Sequence, residues 1–103
     1  MAQAMFYPDW RAKVVFSPAG PQPVTLIENE KVKTLVAGLE AGQMIPPHPG
    51  ELGVYHFLEG NGWMTVEGER LRVSAGATVI VPQGAVRGIE AETRLAFLAT
   101  RVA

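Results

Sequence analysis

The chain has no cysteine. That removes disulfides, thiolate nucleophiles and thiolate metal ligands together, so any metal ion must sit on nitrogen and oxygen, and it accords with a cytoplasmic setting. Charge is scarce as well: Asp, Glu, Lys and Arg make up 18% of the 103 residues, the net charge is -1, and neither sign is clustered. No cationic stripe is available for a phosphate backbone or an anionic membrane surface, which argues against nucleic acid and membrane partners. No apolar run is long enough to span a bilayer, and MAQAMFYPDWRAK lacks the charged and apolar segments of a signal peptide. The expectation is a soluble, unprocessed protein. Long helices are missing too, because 11 glycines and 8 prolines interrupt nearly every window of three turns.

What remains is apolar material in short pieces. With 48% hydrophobic residues the chain can bury one core, and a single domain over residues 1–103 is expected. Runs with period two recur as VTLIE (24–28), VKTLVAGL (32–39), VYHFL (54–58), WMTVE (63–67), RLRV (70–73), TVIV (78–81) and RLAFLATRV (94–102). Many short strands at regular spacing predict an all-β, antiparallel sandwich or barrel. The intervening ENEK, EGNG, EGE and SAG hold the Gly and Asn that tight hairpins need. RLRV alternates, with Leu71 and Val73 on one face and Arg70 and Arg72 on the other. TVIV is apolar almost throughout, which predicts burial on both faces, inside a barrel or against another subunit. Residues 1–23, broken by prolines and carrying aromatics, predict an extended arm lying on another surface, of this chain or of a second copy.

Residues 42–60 and 76–87 resemble the two sequence motifs of the cupin superfamily. In the first, Gly42 is followed after five residues by His48, and LEGNG supplies the closing glycine; in the second, VPQG sets Pro82 and Gly84 in register after Gly76. The resemblance implies a small antiparallel jelly-roll β-barrel (cupin), usually dimeric, with a pocket inside. It also implies where a metal would be held: His-x-His, a Glu and a further His. His-x-His suits a strand because side chains repeat on one face every second residue. A carboxylate and a third imidazole complete a set for a divalent transition metal such as Fe, Mn, Ni, Cu or Zn. On that resemblance the second histidine position is Gly50, the glutamate position Gly53 and the last histidine position Arg87. One ligand, His48, is kept. The spacing is about a residue short, so an alternative register puts His48 at the second histidine position with Glu51 approaching from the loop.

Parity from Gly53 turns Tyr55 and Phe57 inwards and Val54, His56 and Leu58 outwards. A bulge would reverse this and offer His56 as a substitute ligand. On the neighbouring run, either Met64 with Val66 or Trp63 with Thr65 faces inwards. Arg87 is the most informative departure. Its charge is permanent, and burying it unpaired costs several kcal/mol. A divalent cation ~4 Å away would be repelled by roughly 8 kcal/mol at an effective dielectric of about 20. The same guanidinium attracts an anion, through its planar fork, unless Glu51, Glu69, Glu90 or Glu92 neutralises it in a structural ion pair.

The favoured expectation is a barrel without metal or other cofactor that binds a small organic anion. His48 and Arg87 would form its polar end, with Tyr55, Phe57 and Met64 on the walls. With His48 as acid or base and Arg87 holding an oxyanion, isomerase or lyase chemistry follows from the same set. The alternative is a metal-dependent dioxygenase, decarboxylase or isomerase built on His48 with Glu51 or His56. A third class is an interaction module whose barrel is packed shut. The arm and the apolar outward set predict a homodimer.

Overall fold

The computed structural model describes residues 2–103. Within them lie β1 (Val24–Glu28), β2 (Val32–Leu39), β3 (Met44–His48), β4 (Leu52–Glu59), β5 (Asn61–Val66), β6 (Glu69–Ser74), β7 (Thr78–Val81), β8 (Arg87–Ala91) and β9 (Leu95–Val102). Two antiparallel sheets result, ordered β1-β2-β9-β4-β7 and β3-β8-β5-β6. They face each other as a jelly roll.

Local chemistry sets the turns. Val66 pairs with Glu69, leaving Glu67 and Gly68 at φ 49° and 82°, the two left-handed residues that match the twist of a two-residue hairpin. Glu67 is held there from both sides: its amide donates to the Val86 carbonyl at 2.8 Å, and its carboxylate accepts from the Val86 amide at 2.6 Å. Asn29 closes the β1–β2 turn by accepting from the Lys31 and Val32 amides through its side chain.

The core lies between the sheets and follows strand alternation. One sheet contributes Leu35, Ala37 and Leu39 from β2, Tyr55 and Phe57 from β4, and Leu95, Phe97 and Ala99 from β9; the other contributes Met64, Val73, Ile89 and Ala91. Phe97 sits between two rings, 5.9 Å from Tyr55 and 5.8 Å from Phe57, both tilted, the favourable non-parallel arrangement. Met64 and not Trp63 takes the inner face. Trp63 lies outside under two guanidiniums, Arg70 at 4.2 Å and Arg72 at 5.1 Å, and these reach across to Glu90 and Glu92.

One expectation changes, and a choice left open by the sequence is made. TVIV is not buried on both faces within this chain, since β7 is the last strand of its sheet and Ile80 is 67% exposed. The apolar run marks an unpaired edge. The proline-rich arm lies, over residues 14–17, against its own sheet. A Cβ on Gly38 would fall 2.7 Å from the Phe16 ring and 2.9 Å from Val14, so glycine is what lets the arm lie flat on β2. Gln43 Nε2 donates to the Ser17 carbonyl, the Tyr7 hydroxyl donates to the Leu26 carbonyl, and the Arg94 guanidinium covers Phe16 at 4.3 Å.

Candidate functional site

One end of the barrel holds the charged inward positions. On β8 the inner row runs Arg87, Ile89, Ala91, and His48 pairs with Arg87 across the β3–β8 ladder. Opposite, Gly53 of β4 pairs with Arg101 of β9, which continues the inward row Leu95, Phe97, Ala99. These four positions surround the mouth of the barrel.

Arg87 is 2% exposed, and no carboxylate among the described residues lies within ion-pair distance of it. Its charge is met by backbone carbonyls. Nε donates to Ala85 at 3.1 Å, Nη1 to Glu51 at 2.6 Å, and Nη2 to Gly50, Pro82 and Ala85 at 3.1, 3.2 and 3.0 Å. Of the five N–H groups of a guanidinium, one on Nη1 is left over. The arginine therefore clamps the β3–β4 loop to the β7–β8 loop, a tie reinforced by the Gly84 amide donating to the Gly50 carbonyl at 2.7 Å.

This settles two alternatives. The expected structural ion pair with a glutamate is absent among the described residues: Glu90 and Glu92 face Arg70 and Arg72, and Glu51 contributes its carbonyl while its side chain is exposed. Bidentate capture of an anion is closed as well, because both terminal nitrogens already donate to the backbone. A single N–H remains for a guest.

Behind the guanidinium is a small cavity lined on its polar side by His48, Tyr55, Arg87 and Arg101, and on its apolar side by Leu35, Ile45, Ile89, Phe97 and Ala99, with Pro23 at the rim. Its volume is about 40 Å³, room for a few waters or a very small guest. His48 Nδ1 lies 3.0 Å from the Pro46 carbonyl. A carbonyl only accepts, so Nδ1 carries the proton and Nε2 stays free for a guest or solvent. Tyr55 is buried, its ring leaning towards Gly53.

Of the residues singled out in the sequence, His48, Tyr55 and Arg87 come together here. Phe57 and Met64 do not line this cavity; both are fully buried in the hydrophobic core. His56 points out of the barrel, its Nδ1 2.8 Å from Thr78 Oγ1 across the β4–β7 ladder, and cannot reach the mouth. Arg101 escaped the sequence reading. Its one signal was parity, two residues beyond Ala99.

The set does not fit a transition metal. No group of three His, Asp or Glu side chains converges among the described residues. The positions that would carry the missing ligands present no donor: a Cβ on Gly50 would lie 3.4 Å from Arg87 Cζ, and one on Gly53 would lie 3.0 Å from Arg87 Nη1 and 2.8 Å from Tyr55 Cε1. Where imidazole and carboxylate would meet a cation, a guanidinium already stands.

Solved structures share this architecture. A conserved protein of unknown function from Streptococcus pyogenes superposes with a TM-score of 0.86 at 22% identity, over 98% of this chain and 90% of its own. A Thermus thermophilus protein gives 0.85 at 22%, over 95% and 98%. A predicted oxalate decarboxylase from Thermotoga maritima gives 0.75 at 24%, over 80% and 79%. At these identities the likeness is one of fold. No curated protein matches the sequence. The family model described as Cupin domain matches residues 34–100, which takes in both motifs and every residue of the mouth but Pro23 and Arg101; the chain belongs to the cupin family.

Proposed function

We propose that this cupin binds a small organic anion in the mouth of its barrel, without a metal ion. One observation carries the reading: the cavity is lined by two guanidinium cations, Arg87 and Arg101, and by the Tyr55 hydroxyl, with no carboxylate among its residues, while the rest of the lining besides His48 is apolar. Such a site suits a carboxylate with a short hydrocarbon tail. The leftover Nη1 N–H of Arg87 and the Tyr55 hydroxyl would donate to its oxygens, and Arg101 would supply the unshared charge. Size limits the guest: about 40 Å³ suits a small molecule near formate or acetate.

Melting the protein in formate, acetate, propionate and butyrate at fixed ionic strength, with chloride as reference, tests this. A ligand that binds only the folded state raises Tm by an amount that grows with its concentration relative to Kd. The short acids are expected to stabilise the wild type, the effect falling off with chain length, and to lose it in Arg101→Gln and Tyr55→Phe. Equal melting in every salt would remove the anion reading.

The protein acts, in this reading, in the cytoplasm and as a homodimer. No helix among the described residues is long and apolar enough to cross a membrane, and the absence of cysteine suits a reducing compartment. A second copy is the partner that the outer surface favours. Leu52, Val54, Ile80 and Val102 form adjacent outward positions on β4, β7 and β9, and the β7 edge beside them is unpaired. An antiparallel edge can pair with itself across a twofold axis, so one patch serves both subunits.

A further inference from the structure

We propose that the Arg87 guanidinium replaces a metal ion as the cation that organises the barrel mouth, and that Gly50 and Gly53 carry no side chain because the guanidinium fills the volume their side chains would need. This stands apart from the anion reading and survives its failure.

Three features converge on it. The first is direction. The Cβ positions of Gly50 and Gly53, on a loop and on a strand, both point at the same group, coming within 3.4 Å of Cζ and 3.0 Å of Nη1. Two positions three residues apart, where the β3–β4 loop enters β4, aim their side-chain vectors at a single centre, and that centre is a cation supplied by another strand, β8. The second is ligation. The charge is coordinated by carbonyl oxygens at 2.6–3.2 Å from the loops on either side, residues 50–51 and 82–85. Hard oxygen dipoles around a positive centre are what a bound ion would receive. Here the ion is attached covalently to the sheet and cannot dissociate. The third is neutrality. No carboxylate among the described residues pairs with Arg87, so the group is not one half of a salt bridge that happens to lie here.

The two glycines and the arginine therefore form one coupled unit. A Cβ on Gly50 would sit at ordinary contact distance from the guanidinium, 3.4 Å from Cζ, while one on Gly53 would lie 2.8 Å from Tyr55 Cε1 and 3.0 Å from Arg87 Nη1, too close for both to stay in place. Restoring a ligand at either position requires the guanidinium to leave. Its charge and its bulk both exclude an external cation.

The experiment uses full-length variants melted in chelator-treated buffer and then titrated with Ni2+. Gly50→His and Gly53→Glu should each lower Tm by at least ~5 °C, whereas Gly50→Ala should melt within ~2 °C of the wild type. Adding Arg87→His to the Gly50→His/Gly53→Glu double variant should recover part of the loss and create uptake of about one Ni2+ per chain, as expected once three imidazoles and a carboxylate converge. Wild type should take up none. Single variants that melt with the wild type, or a triple variant less stable than the double, would overturn the proposal. If the triple variant does not fold, the wild-type titration decides: stoichiometric Ni2+ uptake that perturbs the His48 imidazole resonances overturns it, and no uptake together with the single-variant losses supports it.

Discussion

Arg87 shows how one side chain redirects a site. A buried guanidinium is tolerable only when its donors are met, and five contacts to four backbone carbonyls meet all but one of them. The motif spacing made the arginine visible in the sequence, together with His48 and Tyr55. Its partners were not legible, because backbone carbonyls carry no sequence signature; the sequence offers only a bound anion or a neutralising glutamate. Glycines offer a second test at this scale. Gly42 and Gly60 share nearly the same left-handed φ, 86° and 85°, but a Cβ on Gly42 meets open space while one on Gly60 would lie 1.8 Å from the Arg94 carbonyl oxygen. Left-handed strain alone costs an L-residue roughly 1–2 kcal/mol. Gly42→Ala should therefore lose about that much in urea denaturation, and Gly60→Ala at least ~3 kcal/mol, because the backbone itself must move. Similar losses at both positions would mean that the close approach at Gly60 is not a constraint.

Among the elements, β1 and β2 were readable from end to end, since VTLIE and VKTLVAGL keep their apolar spacing. Neither β3 nor β8 carries a clear period-two pattern. MIPPH is a strand despite Pro46 and Pro47 because β3 is the outer strand of its sheet, where a missing N–H is tolerated. RGIEA carries Gly88 because the backbone of Ile45 and Pro47 crosses it: a Cβ there would meet both at 3.0 Å. Period two is blind to such crossings. Exposed ion pairs tie element ends together. Arg94 forks onto Glu40 at 2.8 and 3.1 Å while covering Phe16, so it links the arm, the end of β2 and the start of β9. Arg72 does the same for β6 and the end of β8 through Glu92. Hydrogen bonds from Arg94 and Arg72 hold the Glu40 and Glu92 carboxyls below their ordinary 4.5, outweighing the opposing effect of desolvation. A depressed carboxyl stabilises the fold fully above its unfolded value and loses that contribution as pH falls through the folded one. Tm should hold steady above about pH 4.5 and decline below it, less steeply in Glu40→Gln/Glu92→Gln. The step should be small and shrink in salt, since both pairs face water. Equal acid slopes in the two proteins would show that these pairs contribute nothing to the decline.

For the whole molecule, the jelly roll was legible because short alternating runs and turn glycines agreed with two motif spacings. The edge status of β7 was not, because an apolar strand looks the same whether a second sheet or a second subunit covers it. The apolar row Leu52, Val54, Ile80 and Val102 makes the prediction specific: sedimentation at micromolar concentration should give a dimer, and Ile80→Lys should give a folded monomer whose melting no longer depends on protein concentration. A wild-type monomer would contradict the edge-pairing proposal and leave the barrel untouched. The central claim concerns the interior, where a built-in organic cation stands in place of a metal. Elemental analysis of protein purified without chelator or affinity metal tests it most directly. The account predicts Fe, Mn, Ni, Cu and Zn together far below one per chain; any one of them near stoichiometry, with His48 among its ligands, would contradict it.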